Sequence, residues 1–114
     1  MLDIDKRMDA WLVAVEGPDW KSDPKERRTR FLEEGIELYQ TLGFTKDQIV
    51  EMIDRVYVKE AGEFEEEVAG TFLTLMCLCM CYKVDLLQTV SDQLEGYERR
   101  VEEFKIKHPT KVRF

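Results

Sequence analysis

The chain has 114 residues, of which 44% are hydrophobic and 36% charged, a balance that suits one soluble domain (residues 1–114) with a modest core and leaves no room for a second. A net charge of -7 and a pI near 4.8 argue against gripping a nucleic-acid polymer through a basic surface, while a free nucleotide stays open because a metal ion reverses charge locally. The longest apolar stretch, Val68 to Tyr82, is interrupted by Gly70, Thr71 and Thr74 and is short for a membrane span. No secretory signal pattern stands out. Cys77, Cys79 and Cys81, an odd number in an apolar setting, point to reduced thiols and a cytoplasmic protein.

In chain order, apolar residues at Ile4, Met8, Trp11, Leu12 and Val15 predict an amphipathic helix that Gly17-Pro18 ends. After a short loop with Trp20, Asp23-Pro24 and Glu26 predict the start of a second helix that runs to Leu42 before Gly43. Thr45 with Gln48 forms a capping-box pattern for a third helix carrying Ile49, Ile53 and Val56 and ending near Val58. A fourth helix is expected from Glu63 to Tyr82, and a fifth, capped by Asp85 with Gln88, from there to about Lys107. The tail from Thr110 to Phe114 is expected to fray. Nothing alternates with period two, no repeat appears, and the predicted fold is all-α.

Two acidic clusters sit on these helices, Glu33-Glu34-Gly35-Ile36-Glu37 on the second and Glu63-Phe64-Glu65-Glu66-Glu67 at the start of the fourth. Glu34 and Glu37 fall about 60° apart on a helix and Glu63 and Glu67 about 40° apart, so each pair presents two carboxylates to one side. The second helix is expected to bury Phe31, Gly35, Leu38 and Leu42, with Glu34 and Glu37 on the flank and Glu33 directed to water. If the two helices face each other, four carboxylates meet, and such a set suits Mg²⁺, a hard ion that keeps waters and phosphates in its shell. On the fourth helix Glu63, Glu67, Gly70, Thr74, Cys77 and Cys81 share one face, opposite Phe64, Val68, Phe72, Leu75 and Cys79. A helix with a small-residued face and an apolar one reads as the centre of a bundle, shared with a second subunit.

These residues resemble the all-α nucleoside triphosphate pyrophosphohydrolases, the superfamily of MazG-type proteins, dimeric dUTPases and phosphoribosyl-ATP pyrophosphohydrolases, whose pattern is Glu-Glu-x-x-Glu on one helix and Glu-x-x-Asp on another. Residues Phe31 to Leu38 match the first half; Glu66 to Leu75 match the second except that Gly70 stands at the family's Asp. Arg27 to Leu42, Val56-Tyr57 and Gly62-Glu63 are similar to a divergent, phosphoribosyl-ATP pyrophosphohydrolase-like branch that also tends to carry Gly there, and the likeness spans most of residues 8–108. The resemblance implies a MazG-like helical bundle of the four-helix type, oligomeric as a homodimer or homotetramer. It also implies an Mg²⁺-dependent hydrolase, with Mn²⁺ as an alternative ion, that converts a nucleoside triphosphate substrate to the monophosphate and pyrophosphate. Carried over, Glu34, Glu37 and Glu67 become metal ligands, Glu63 substitutes for the acid missing at Gly70, and Glu37 and Glu67 become the catalytic carboxylates. Arg30 and Lys105 become phosphate contacts, since related proteins place basic residues on the last helix.

Each signal has a plainer reading. Acidic pairs at helical spacing also make a solvated face. Cys77 and Cys81 lie in an apolar helix without a companion His and belong to packing, and His108, beside Pro109, reads as surface or tail. Trp11 belongs to the core stripe, although an aromatic face could also stack on a base; Trp20 stays open. The alternative to the enzyme is a helical nucleotide- or protein-binding module of the same fold that lost catalysis with its Asp.

Overall fold

The computed structural model describes residues 3–114, with the backbone alone at Thr110. Six α-helices follow one another: α1 (Asp3–Glu16), α2 (Pro24–Thr41), α3 (Lys46–Tyr57), α4 (Phe64–Cys81), α5 (Leu86–Glu98) and α6 (Val101–Lys107), with single 3-10 turns at Trp20–Ser22 and His108–Thr110. The described residues contain no strand. The protein is all-α.

Local chemistry sets the boundaries. Thr45 accepts from the Gln48 amide while Gln48 Oε1 accepts from the Thr45 amide at 2.8 Å, a complete capping box at the start of α3. Asp85 caps α5 by accepting from the Gln88 amide at 3.0 Å. α2 ends where Gly43 turns to φ +80, so that Phe44 N donates to Tyr39 O and Gly43 N to Gln40 O, the paired bonds of a Schellman stop. α4 ends with the same pair, Val84 N to Cys79 O and Lys83 N to Met80 O, but Lys83 takes the left-handed conformation at φ 57 that glycine adopts without steric cost.

The core lies where α1, α5 and α6 meet. Trp11, Leu12 and Leu94 are buried. Trp11 donates its indole N–H to Tyr97 O at 2.9 Å and stacks on Tyr97 at 5.2 Å between centroids, while Phe104 meets both rings edge-on at 5.0 and 4.9 Å. This aromatic trio explains why the expected single fifth helix is two. A turn at Arg99-Arg100 folds the chain back so that Phe104 reaches Trp11, with the Arg100 guanidinium 5.9 Å from the Tyr97 ring and 5.4 Å from that of Phe104. Neither Gly nor Pro stands at the break itself, and Gly96, within the last turn of α5, is helical, so the helical period runs through it in the sequence. Trp20 is fixed too, donating to Asp9 Oδ1 at 3.0 Å. Arg7 ties α1 to α5 by donating to both Glu98 oxygens, at 2.8 and 3.2 Å, which holds the Glu98 carboxyl below its ordinary range, chiefly through that hydrogen bond.

Two further expectations are corrected. The tail is docked: Phe114 N donates to the buried Thr29 hydroxyl at 2.7 Å, Arg28 Nε donates to Phe114 O at 2.6 Å, and Arg30 donates to Val112 O. The α2 stripe is largely open within one chain, with Phe31 67% and Leu38 38% exposed while Gly35 and Leu42 are half-buried. Within this one chain α4, expected at the centre of a bundle shared with a second subunit, buries none of its residues. No single described helix is long and apolar enough to cross a membrane, and the apolar α4 and α5 are bent by 100° at their junction.

Candidate functional site

Where α1, α2, α5 and α6 converge, they enclose a cavity of about 300 Å³ with two kinds of wall. Met8, Trp11, Val15, Tyr97 and Phe104 form an apolar, aromatic side; Glu16, Glu26, Glu34, Arg27, Arg30, Lys107, His108 and Lys111 form a charged one. A broader depression of about 630 Å³ lies along the end of α3. Its walls come from that helix and the turn after it alone, so no second element supplies converging groups.

The charged wall is organised around Glu26, which the first turn of α2 points inward until only 1% of it is exposed. Such a carboxylate survives burial only with cations and donors around it. Arg30 Nε lies 3.2 Å from one of its oxygens and Arg113 Nε 2.6 Å from the other, with Arg27 at 3.5 Å. Arg27 also pairs with Glu16, and His108 Nδ1 stands 3.6 Å from Glu26 and 3.9 Å from Glu16. The ligand atoms of Glu16, Glu26 and His108 lie within 4.8 Å of one another. Three guanidinium groups already neutralise the two carboxylates, so this cluster is an ion-pair network that closes α1, α2 and the tail together, and its charge opposes a metal ion.

The second converging group is the α2 acid set. Carboxylate oxygens of Glu33, Glu34 and Glu37 lie within 4.8 Å of one another, with Glu34 also lining the cavity. Glu33, expected to point into water, is instead half-buried between Arg30 Nη1 at 3.1 Å and Lys111 Nζ at 3.3 Å. The Lys111 hydrogen bond foremost, with the charges of Lys111 and Arg30, holds its carboxyl below the ordinary glutamate range. Glu34 and Glu37 are exposed. An all-oxygen, carboxylate-rich donor set of this kind fits a hard divalent cation such as Mg²⁺ or Mn²⁺.

The remaining sequence candidates lie elsewhere. Glu63 is the residue before α4 and Glu67 begins its second turn; both are exposed. Glu67 curls back over Gly62, where a Cβ would come within 3.0 Å of its Oε1. Among the described residues, neither belongs to a cluster with the α2 acids, so the four carboxylates do not close into one cage within a single chain. Gly70 faces open space, with nothing within 4 Å of where a Cβ would stand. Arg30 is central to the charged wall. Lys105 points outward on α6, donating to Glu102 at 3.2 Å, and the lysines that line the cavity are Lys107 and Lys111.

Glu26, Arg27, His108, Lys111 and Arg113 escaped the sequence reading. Glu26 carried one signal, its i,i+4 spacing to Arg30. The tail cations carried none, because the carboxylates they meet are more than 70 residues away. Comparison of the chain with protein-family models, curated proteins and solved structures finds no match in any of the three.

Proposed function

We propose that the protein is an Mg²⁺-dependent nucleotide pyrophosphohydrolase that cleaves a nucleoside triphosphate to the monophosphate and pyrophosphate. The observation that carries this reading is the cluster of α2 carboxylates at the edge of a cavity that Glu34 lines, whose other walls combine an aromatic side with a charged side of Arg27, Arg30, Lys107 and Lys111 beside Glu16 and Glu26, in a chain of net charge -7. Cations concentrated in one cleft of an acidic protein suit an anionic ligand, and the ring wall suits a base. Glu34 and Glu37 would hold the cation, which supplies neutralisation of phosphate charge and acidification of water. Arg30 and Lys111 keep Glu33 ionised beside that pair, and the basic wall orients the phosphates. Glu37 or Glu67 accepts the proton as water attacks.

In this reading Glu63 and Glu67 complete the acid set from α4 of a paired chain, because within one chain they stand apart from Glu34 and Glu37. The free thiols of Cys77, Cys79 and Cys81 accord with a reducing, cytoplasmic setting. Pyrophosphate release from a nucleotide panel with saturating Mg²⁺ or Mn²⁺ tests the activity, and none from any nucleotide refutes it. Glu37→Gln and Glu67→Gln are each expected to abolish turnover. Mixing the two inactive variants, with subunit exchange, restores part of it only if the acids meet between chains. One observation favours the second reading, a lapsed binding module: Gly70 leaves open space where the resemblance expects an acid. Nucleotide binding with no hydrolysis in any metal would decide for it.

A further inference from the structure

The tail from Lys111 to Phe114 is fastened to α2 through polar groups. Lys111 Nζ lies 3.3 Å from Glu33, Val112 O accepts from Arg30, and Arg113 Nε lies 2.6 Å from Glu26, while Phe114 N donates to Thr29 Oγ1 at 2.7 Å and Phe114 O accepts from Arg28 Nε at 2.6 Å. Its apolar side chains contribute little, with Val112 59% and Phe114 66% exposed. A segment held by charge and hydrogen bonds opens at low cost and responds to whatever changes the charge beneath it. The tail also sets the sign of the cavity. To its lining the helices bring three acids, Glu16, Glu26 and Glu34, and three cations, Arg27, Arg30 and Lys107, and Glu33 beside Arg30 takes their sum to one net negative charge. With His108 neutral, the tail adds Lys111 to the wall and Arg113 on Glu26, and the sum becomes one net positive charge.

We propose that the tail is a strap whose docking turns this cavity from one that repels anions into one that binds them, and that a ligand bearing a pyrophosphate group holds the strap closed. The proposal rests on phosphates occupying this cavity, as in the function proposed above, and needs no hydrolysis. In a chain of net charge -7 most of the surface repels an anion. A local reversal of sign admits it. An ammonium has three N–H donors and Glu33 engages one, so Lys111, which lines the cavity, has donors left for phosphate oxygens. Arg113 acts through Glu26: with the guanidinium in place the buried carboxylate is neutralised, and without it Glu26 repels the incoming charge. Binding and docking are therefore linked in both directions. An anion that prefers the docked state stabilises it, and a docked tail raises the anion's affinity by the same factor.

Trypsin cleavage after Lys111 and Arg113, read by mass spectrometry on the full chain without divalent cations and at constant ionic strength, follows the open tail. Inorganic pyrophosphate at ten times its Kd should slow both cuts about tenfold, while cleavage after Lys59, exposed in the turn beyond α3, stays unchanged as the internal reference. Lys111→Gln should weaken pyrophosphate binding, measured by calorimetry, by about tenfold or more. Lys46→Gln, the same change of charge at the exposed start of α3, should leave it within about twofold. The protection measurement uses the unaltered protein, so the proposal stays testable if Lys111→Gln does not fold. Pyrophosphate that does not bind, that binds without slowing the two cuts, or that binds folded Lys111→Gln as tightly as the parent overturns the strap. Protection without turnover of any nucleotide upholds the strap and refutes the enzyme, whereas turnover with an unprotected tail upholds the enzyme and refutes the strap.

Discussion

Replacing Glu26 with glutamine keeps the shape of the side chain and removes one charge from the centre of the network. Glu26 is 1% exposed, and its oxygens neutralise Arg30 at 3.2 Å, Arg113 at 2.6 Å and Arg27 at 3.5 Å. Those guanidinium groups are themselves 14%, 29% and 29% exposed, so water cannot fully take over. Removing one partner of a buried ion pair costs about 3–5 kcal/mol when the other charge is left without compensation; here Arg27 keeps Glu16 and Arg30 keeps Glu33, so the low end, about 3 kcal/mol, applies. For a chain of this length that corresponds to a fall in Tm of about 12 °C. The loss should be local first: Arg113 anchors the tail, so trypsin should cut after Lys111 and Arg113 much faster in Glu26→Gln than in the parent. Thermal melting and timed proteolysis at the same protein concentration read both effects. A Tm within about 3 °C of the parent, less than one kcal/mol at this size, would refute the reasoning and make the network a set of solvated contacts.

Further expectations follow from the same contacts. Lys111→Ala should raise the Glu33 pKa back toward 4.5. The folded value is the lower one, so the contribution to stability is present above 4.5 and disappears as pH falls through the folded value; a carboxyl NMR titration of Glu33 unchanged by Lys111→Ala contradicts this. Lys83→Gly should raise stability by about 1 kcal/mol by relieving the left-handed residue that ends α4, and a denaturant midpoint that falls argues against the cap. Gly70→Asp should fold normally, since nothing lies within 4 Å of the new Cβ, and should raise metal-dependent pyrophosphate release if the acid set is short of one ligand. Equal rates in parent and variant would detach position 70 from the chemistry.

The helices were legible because their signals are local. Thr45 with Gln48, Asp85 with Gln88, Pro24 and Gly43 act within a turn of the boundaries they set. The break at Arg99-Arg100 was not, because Phe104 packs on Trp11, a contact between the two ends of the chain that puts no Gly or Pro at the break itself. The tail failed for the same reason. Lys111 and Arg113 look like loose surface cations until Glu33 and Glu26, 78 and 87 positions away, come to meet them. The expected stripe on α2 was correct as a pattern and wrong about its cover, since periodicity states that Phe31 and Leu38 need burying without stating which surface buries them.

The candidate site divides along the same line. Spacing put Glu34 and Glu37 on one flank of α2, and their oxygens do converge with those of Glu33. Spacing alone directed Glu33 outward, but Arg30 from its own helix and Lys111 from the tail override the helical wheel, and the strength of two cations around a half-buried carboxylate exceeds the small preference for solvent. Between helices the sequence is silent. Glu63 and Glu67 share a face of α4 as expected, yet that helix stands off from the α2 acids within its own chain, and the apolar side that would draw it into a bundle remains uncovered there. The separation of the two acid clusters and the exposed flank of α4 go together within the chain: a helix that buries none of its residues is held by no packing that would bring Glu63 and Glu67 to Glu34 and Glu37.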